Sequence, residues 1–248
     1  MRTLVAIPVY NEEQYVQRVL DRVMEYAPNV LVIDDGSTDA TPALAASYPV
    51  DIVRRFKNGG YGRSMLEAFR WATIEGYDWI ITMDCDEQHE PESIPAFLEC
   101  AERDDADIIS GSRYLVPKSN AVVPPENRRR INMLITEEIN DRLGLSITDA
   151  FCGFKAYRVA ALAGLHLTEC GYAFPMQFWP EAFAAGLRIS EIPVSLIYHD
   201  PNRTFGGPLN DDNIRLAHYR TVLHCALERN ADRLPATALA DLTCGCPK

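Results

Sequence analysis

The chain has 248 residues, a length that fits one large α/β domain better than two small ones. Charged residues make up 24% and hydrophobic residues 47%, which excludes the disordered, collagen-like and coiled-coil classes. Lys plus Arg number 24 against 35 Asp plus Glu, a net charge of −11. That balance argues against non-specific binding to nucleic acid or anionic lipid, so an anionic ligand must be met by local cations or a metal.

Leu4–Val9 reads as a buried strand and Glu12–Tyr26 as a helix with Val16, Val19, Leu20 and Val23 on one face. Val30–Ile33 is a second strand, ending at the turn-forming Asp34-Asp35-Gly36-Ser37. Thr38–Tyr48 is a helix, Asp51–Arg55 a strand and Gly62–Glu75 a helix carrying Met65, Leu66, Phe69 and Ala72. Trp79–Met83 is a strand that stops at Asp84; Ile94–Arg103 is a helix and Ala106–Ser110 a strand. This βαβ alternation predicts a mostly parallel sheet with helices on both faces. After about residue 115 come a loop with Pro117, Pro124 and Pro125, a basic cluster Arg128-Arg129-Arg130 opening a helix to about Leu143, and a short apolar segment around Phe151–Tyr157. A helix near Pro175–Ala185, a strand Leu187–Val194 and a last helix over about Asn213–Arg229 complete the pattern. The second half reads as elaboration of the same sheet, giving a single domain over 1–248.

The start, Met1–Pro8, runs straight into a strand without a basic, apolar and small-residue leader, which points away from secretion. Uncharged stretches reach about ten residues, short of the roughly 18–20 of a spanning helix, so the chain is expected to be soluble or at most peripheral. Cysteines at 85, 100, 152, 170, 225, 244 and 246 form neither a disulfide framework nor paired zinc spacing, and a reducing cytoplasm is the simplest reading. Cys244-Gly245-Cys246 reads as a frayed tail with unpaired thiols, a metal or a pairing being the alternative.

Ligands of open α/β sheets lie beyond the carboxyl ends of the strands, so the strand ends carry the chemistry. In Ile80-Ile81-Thr82-Met83-Asp84-Cys85-Asp86-Glu87-Gln88-His89 an apolar strand opens into two carboxylates spaced by one residue. Asp84, Asp86 and Gln88 offer hard oxygen donors suited to Mg²⁺ or Mn²⁺ and poorly suited to zinc, although an isolated Asp-x-Asp is more often a solvated acidic turn. His89 next to that loop is a metal ligand or, as favoured here, a hydrogen bonder behind the ligands. In Val32-Ile33-Asp34-Asp35-Gly36-Ser37-Thr38-Asp39, Ser37 or Thr38 can cap the next helix, and a carboxylate can accept from a base or ribose. Asn58-Gly59-Gly60-Tyr61-Gly62-Arg63 could bring backbone N–H groups and Arg63 to a phosphate, but it matches no phosphate-loop or dinucleotide fingerprint.

Taken together with Ile7-Pro8-Val9-Tyr10-Asn11-Glu12-Glu13 and Ser110-Gly111-Ser112-Arg113-Tyr114, these motifs occur in the order and spacing of family-2 glycosyltransferases of the GT-A fold, and the chain resembles that family. Asp86–Pro91, Ser112-Arg113-Tyr114 and Asp149–Arg158 make it most similar to the dolichyl- or polyprenyl-phosphate mannosyl- and glucosyltransferases. The resemblance covers roughly residues 3–200. It implies a GT-A α/β fold, with a nucleotide-sugar and metal-binding half over 1–115 and an acceptor-side half over 116–248. It also implies that Pro8, Tyr10, Glu12 and Asp35 hold the nucleoside, Asp84 sits by ribose and metal, Asp86 and Gln88 ligate Mg²⁺ or Mn²⁺, and Arg113 contacts donor phosphate or sugar. The chain departs from the family at Cys152, often Ser, and at Arg203-Thr204-Phe205-Gly206-Gly207, where a lysine is missing.

The activity so implied is metal-dependent, inverting transfer of a sugar from a nucleotide-diphosphate sugar to an acceptor. A lipid phosphate acceptor would need cations, for which Arg128–Arg130 and Arg203 are candidates. A sugar hydroxyl would instead need a general base, for which Asp149 is the candidate. The resemblance favours the phosphate, with at most peripheral membrane contact at the inner face and no nucleic-acid partner. A catalytically silent nucleotide-sugar binder is the alternative class, but the intact Asp84, Asp86 and Gln88 speak against it. A dinucleotide oxidoreductase is disfavoured because Tyr10-Asn11-Glu12 has no glycine. Tyr172, Phe174, Phe178 and Trp179 are expected mostly in the core, with lining of an acceptor groove the alternative.

Overall fold

The computed structural model describes residues 1–116, 125–197 and 207–242. Among them β1 (Thr3–Val9), β2 (Val30–Asp34), β3 (Asp51–Arg54), β4 (Trp79–Thr82), β5 (Ile108–Ser112), β6 (Lys155–Arg158) and β7 (Ile189–Pro193) form one sheet in the order β3-β2-β1-β4-β6-β5-β7. Every pair is parallel except those of β6, which runs antiparallel to both β4 and β5. The apolar segment expected at Phe151–Tyr157 is therefore a turn followed by a reversed strand. The reversal brings the start of β6 to the carboxyl end of β4, with Lys155 opposite Thr82.

Alternating residues of β1 and β2 point to opposite faces, as the pleat requires. Leu4, Ala6, Leu31 and Ile33 pack with α3 (Tyr61–Ile74), α5 (Glu126–Leu143), α7 (Phe174–Ala184) and α8 (Asp212–Arg229). Val5, Ile7, Val9 and Val32 pack with α1 (Val16–Val23), α2 (Thr41–Ala45) and α4 (Ile94–Glu102). A short α6 (Val159–Leu162) follows β6. These three layers make the central strands apolar throughout, because both faces are covered.

Two helices are shorter than the periodicity predicts. Residues 11–13 are not helical but are laced to the loop after β2: Asn11 N–H donates to Ser37 Oγ, Glu12 N–H to Thr41 Oγ1, and Ala40 N–H to the Glu13 carboxylate. Ser37 and Thr38 accordingly do not cap α2, whose helix begins at Thr41 with Pro42 in its first turn. Cys85, Cys100, Cys152 and Cys170 are free thiols, whereas Cys225 on α8 is disulfide-bonded, so the cysteines are not uniformly unpaired. Cys244 and Cys246 lie outside the described residues.

Candidate active site

A cleft of about 350 Å³ opens at the carboxyl edge of the sheet. Pro8, Tyr10 and Glu12 reach it from the end of β1, Asp35 from β2, Asp84, Asp86 and Gln88 from β4, and Arg113 from β5. The structure thus gathers eight of the expected site residues around one cleft. Asp149 does not line the cleft, and Arg203 lies outside the described residues.

Asp34 and Asp35 are adjacent in sequence but do different work. Asp34 is buried, accepts the Ser37 N–H at 2.8 Å and pairs with Arg54 at 3.1 Å, tying the turn to β3. Asp35 faces the cleft and organises the glycine loop: it accepts from Gly59 N–H at 2.6 Å, from Gly60 N–H at 2.8 Å and from Arg55. The N–H groups of Gly62 and Arg63 donate to the carbonyls of Gly171 and Cys170. A phosphate cradle is therefore the wrong reading of this loop, since its donors are already bound within the protein. Its glycines serve close approach instead: a Cβ on Gly60 or Gly62 would fall 2.4 Å from the Cys170 carbonyl oxygen or 2.3 Å from that of Glu169. The segment 169–172 seats there and lays Tyr172 parallel to Tyr61 at the cleft wall, ring centroids 6.4 Å apart.

The turn after β4 owes its shape to residues beside the expected ligands. Asp84 N–H donates to His89 Nδ1 at 2.9 Å, which leaves the proton on Nε2, and the imidazole stacks on Phe154 at 5.2 Å. Burial pushes the His89 pKa down to about 4, so it is neutral at pH 7, and its bond goes to the backbone of Asp84. Glu87 adopts φ 58° and turns away from the cleft to pair with Arg18 at 3.0 Å, which lets Gln88 return to it. Asp84, Asp86 and Gln88 all line the same cleft, and their carboxylate and amide oxygens are the donor type that fits Mg²⁺ or Mn²⁺. Among the described residues no three His, Cys, Asp or Glu side chains form a ready-made metal cage.

Asp149 is fully buried behind Arg113. It takes the guanidinium on both oxygens, at 2.7 and 2.9 Å, and accepts from Asn132 Nδ2 at 2.8 Å. The guanidinium and these hydrogen bonds outweigh the cost of burial and hold its pKa at about 2. A carboxylate so engaged, and covered by the cleft residues Arg113 and Asn132, has no open path to an acceptor hydroxyl, and its bidentate contact fixes the Arg113 guanidinium. Of the basic cluster, Arg128 lines the cleft, Arg129 lies over the Tyr114 ring at 3.7 Å and Arg130 is exposed. Tyr172 lines the cleft, while Phe174, Phe178 and Trp179 are core residues.

The model of the family described as glycosyl transferase family 2 matches residues 4–165. The chain belongs to that family. It is 34% identical over 207 residues to the undecaprenyl-phosphate mannosyltransferase of Micrococcus luteus, covering 79% of this chain and 84% of the relative. It is 32% identical over 231 residues to the polyprenol monophosphomannose synthase of Mycolicibacterium smegmatis, covering 88% and 85%. Among solved structures, glucosyl-3-phosphoglycerate synthase of Mycobacterium tuberculosis, in complex with Mn²⁺, UDP and glucosyl-3-phosphoglycerate, superposes with a TM-score of 0.69 at 19% identity, covering 94% of this chain and 81% of that one. The fold is that of the GT-A glycosyltransferases, and the chain is a glycosyltransferase.

For a family-2 glycosyltransferase, the cleft residues Ser64, Asn132 and Arg215 went unnoticed in the sequence, and Tyr61 and Gly153 stood inside quoted motifs without a role of their own. Arg215 had a visible signal, a charge one turn into an otherwise apolar helix face. It is buried, anchored by the Leu209 carbonyl at 2.7 Å and by Asp212. Ser64 had none, because its value comes from accepting Arg55.

Proposed function

We propose that the chain moves a sugar from a nucleoside-diphosphate sugar to a polyprenyl phosphate, with inversion at the anomeric carbon and with Mg²⁺ or Mn²⁺ bound. The observation that carries this reading is the division of charge along the cleft. Glu12, Asp35, Asp84 and Asp86 line it from β1, β2 and β4, and Arg113, Arg128 and Arg215 line it from β5, α5 and α8. The acidic end suits a nucleoside, whose base N–H groups and ribose hydroxyls donate, and a cation that screens a diphosphate. The basic end suits a second anion. The names of the two relatives, which carry undecaprenyl phosphate and a polyprenol, support a lipid phosphate as that anion. Mn²⁺ and UDP in the solved structure of the same fold support the donor assignment.

In this reading Pro8 and Tyr10 flank the base, Glu12 and Asp35 face base or ribose, and Asp84, Asp86 and Gln88 hold the cation. These residues would hold the cation, and its charge, when bound, would offset the charge developing on the diphosphate leaving group. An acceptor phosphate oxygen attacks the anomeric carbon in line as the bond from that carbon to the diphosphate oxygen breaks. The electron pair leaves with the nucleoside diphosphate, beside Arg113. No proton needs removal, because the acceptor phosphate is already ionised at neutral pH. That agrees with Asp149 being sealed from the cleft, and it disfavours the hydroxyl acceptor for which Asp149 was the candidate base. No helix among the described residues is long and apolar enough to cross a membrane, so the lipid would be met by peripheral contact.

A thermal-shift screen of GDP, UDP, ADP and dTDP, with and without Mn²⁺, tests the donor half. A ligand at 100 times its Kd stabilises by about 2.7 kcal/mol. At 2–4 °C per kcal/mol for a chain this long, that is roughly 5–10 °C for the matching nucleotide in the presence of Mn²⁺. No shift with any nucleotide would refute the reading.

A further inference from the structure

We propose that the Cys152-Gly153 turn is a positioning device that sets the aim of the Asp84 carboxylate, with Gly153 as its contact point and Lys155 and Thr82 as its fasteners. The inference rests on the reading of Asp84 as a donor- and cation-facing residue. It begins with the reversed strand: because β6 alone runs antiparallel beside β4, the turn entering β6 crosses the turn leaving β4. There Thr82 Oγ1 donates to the Gly153 carbonyl at 2.8 Å, and the buried Lys155 ammonium donates to the Cys152 carbonyl. On the other side, Gly111 N–H donates to the Phe154 carbonyl at 2.8 Å, so donors from β4, β5 and β6 hold three successive carbonyls of the turn.

The gripped turn meets the carboxylate without slack. A Cβ on Gly153 would lie 2.9 and 3.1 Å from the two oxygens of Asp84 and 3.1 Å from the Tyr61 hydroxyl. Gly153 has no positive φ, so glycine is required here for space and not for backbone conformation. On the opposite flank the His89 Nε2 stands 3.8 Å from Asp84 Oδ2, and the same ring stacks on Phe154 of the turn. Asp84 is thus bracketed between two surfaces that the turn itself controls. Lys155 has a clear reason to be buried in this arrangement: no carboxylate pairs with its ammonium at ion-pair distance among the described residues, and its bond goes to the turn.

The test is a pair of double-mutant cycles read by calorimetry of Mn²⁺-dependent binding of GDP or UDP, whichever the wild type binds more tightly. Gly153→Ala should weaken that binding at least tenfold in the wild-type background and less than twofold in the Asp84→Ala background, where the added methyl has room. Thr82→Val, which frees the Gly153 carbonyl without adding bulk, should show the same dependence on Asp84 with a smaller loss. It stands in for Gly153→Ala if that variant does not fold by circular dichroism. Rescue of binding in Gly153→Ala by Asp84→Ala, relative to additivity, is a result that a general loss of stability would not produce. Equal losses in both backgrounds, or unchanged binding in both Gly153→Ala and Thr82→Val, overturn the positioning role. If Asp84→Ala alone leaves binding unchanged, the reading of Asp84 itself is what fails.

Discussion

Replacing Asp149 by Asn removes the negative charge that faces Arg113 while keeping the side chain's size. In the folded protein Asp149 has no exposure and titrates at about 2 against an ordinary 3.8. Each pH unit of such a difference is worth about 1.4 kcal/mol, so the ionised carboxylate contributes about 2 kcal/mol to stability at pH 7. Because the folded pKa is depressed, that contribution is complete above pH 4 and is lost as pH falls through 2. The variant also strands the guanidinium of Arg113, a side chain only 15% exposed, without its bidentate partner. Loss of a buried partner costs roughly 3–5 kcal/mol, and the amide's remaining hydrogen bond lowers this towards the bottom of the range. Urea unfolding at pH 7 should show Asp149→Asn destabilised by about 3 kcal/mol, with most of the loss absent in an Arg113→Met background. Transfer should slow because Arg113 is no longer aimed, and Asp149 should contribute no limb to the pH–rate profile above pH 4. Full stability, or an activity limb between pH 5 and 7 that the variant abolishes, would refute the assignment and return Asp149 to the role of base.

His89 predicts a second pH dependence. Its folded pKa of about 4 lies below the ordinary 6.5, so the stability tied to its neutral form is present above pH 6.5 and drains away as pH falls to 4, by about 3 kcal/mol. His89→Asn keeps an acceptor for the Asp84 N–H and should flatten the unfolding free energy between pH 6.5 and 4.5; an unchanged slope would contradict the buried neutral imidazole. Asp86→Ala should abolish Mn²⁺-enhanced nucleotide binding with a melting temperature within a few degrees of wild type, as expected for a cleft ligand; undiminished enhancement in calorimetry would remove Asp86 from the cation site. Arg128→Glu should raise the KM for a short polyprenyl phosphate tenfold or more while leaving the KM for donor within twofold, and the reverse pattern in steady-state kinetics would place Arg128 at the donor. Gly62→Ala should cost about 1–3 kcal/mol in urea unfolding, because its Cβ would meet the Glu169 carbonyl at 2.3 Å; a neutral substitution would show that segment 169–172 yields freely.

The strand ends were legible in the sequence because each combines an apolar run with an abrupt polar turn, a pattern that burial on both faces and an open carboxyl edge enforce locally. Pro8, Tyr10, Glu12, Asp35, Asp84, Asp86, Gln88 and Arg113 could be collected from that rule and the family likeness without any contact being known. What lay beyond it was partnership at long range. Glu12, Glu13 and residues 38–40 fall within the expected helices, yet Glu12 N–H bonds to Thr41 Oγ1, Glu13 N–H to Asp39 and Ala40 N–H to Glu13, an exchange invisible to a periodicity of 3.6. The glycine loop looked like an anion cradle because spacing shows which N–H groups are unhindered and not which are already taken by Asp35 and the Cys170 carbonyl. Asp149 looked like a base because a carboxylate before a turn carries no mark of burial, and only the return of β6 between β4 and β5 places Asn132, Arg113 and the Phe151–Phe154 turn around it. Lys155 is the clearest lesson: the segment Phe151–Tyr157 reads simply as apolar, and nothing in it shows that the fold uses the length of this one charged side chain to fasten a turn.

The central claim is that an anionic lipid accepts a sugar at the basic end of the cleft while a cation and a nucleoside diphosphate occupy the acidic end. Purified protein incubated with radiolabelled GDP- and UDP-sugars and undecaprenyl phosphate in Mn²⁺, then extracted with organic solvent, measures it directly. The account predicts label in the organic phase with one of these donors, abolished by EDTA and absent when undecaprenol replaces the phosphate. Label transferred equally to undecaprenol or to a free saccharide, or transfer undiminished in excess EDTA, would contradict it.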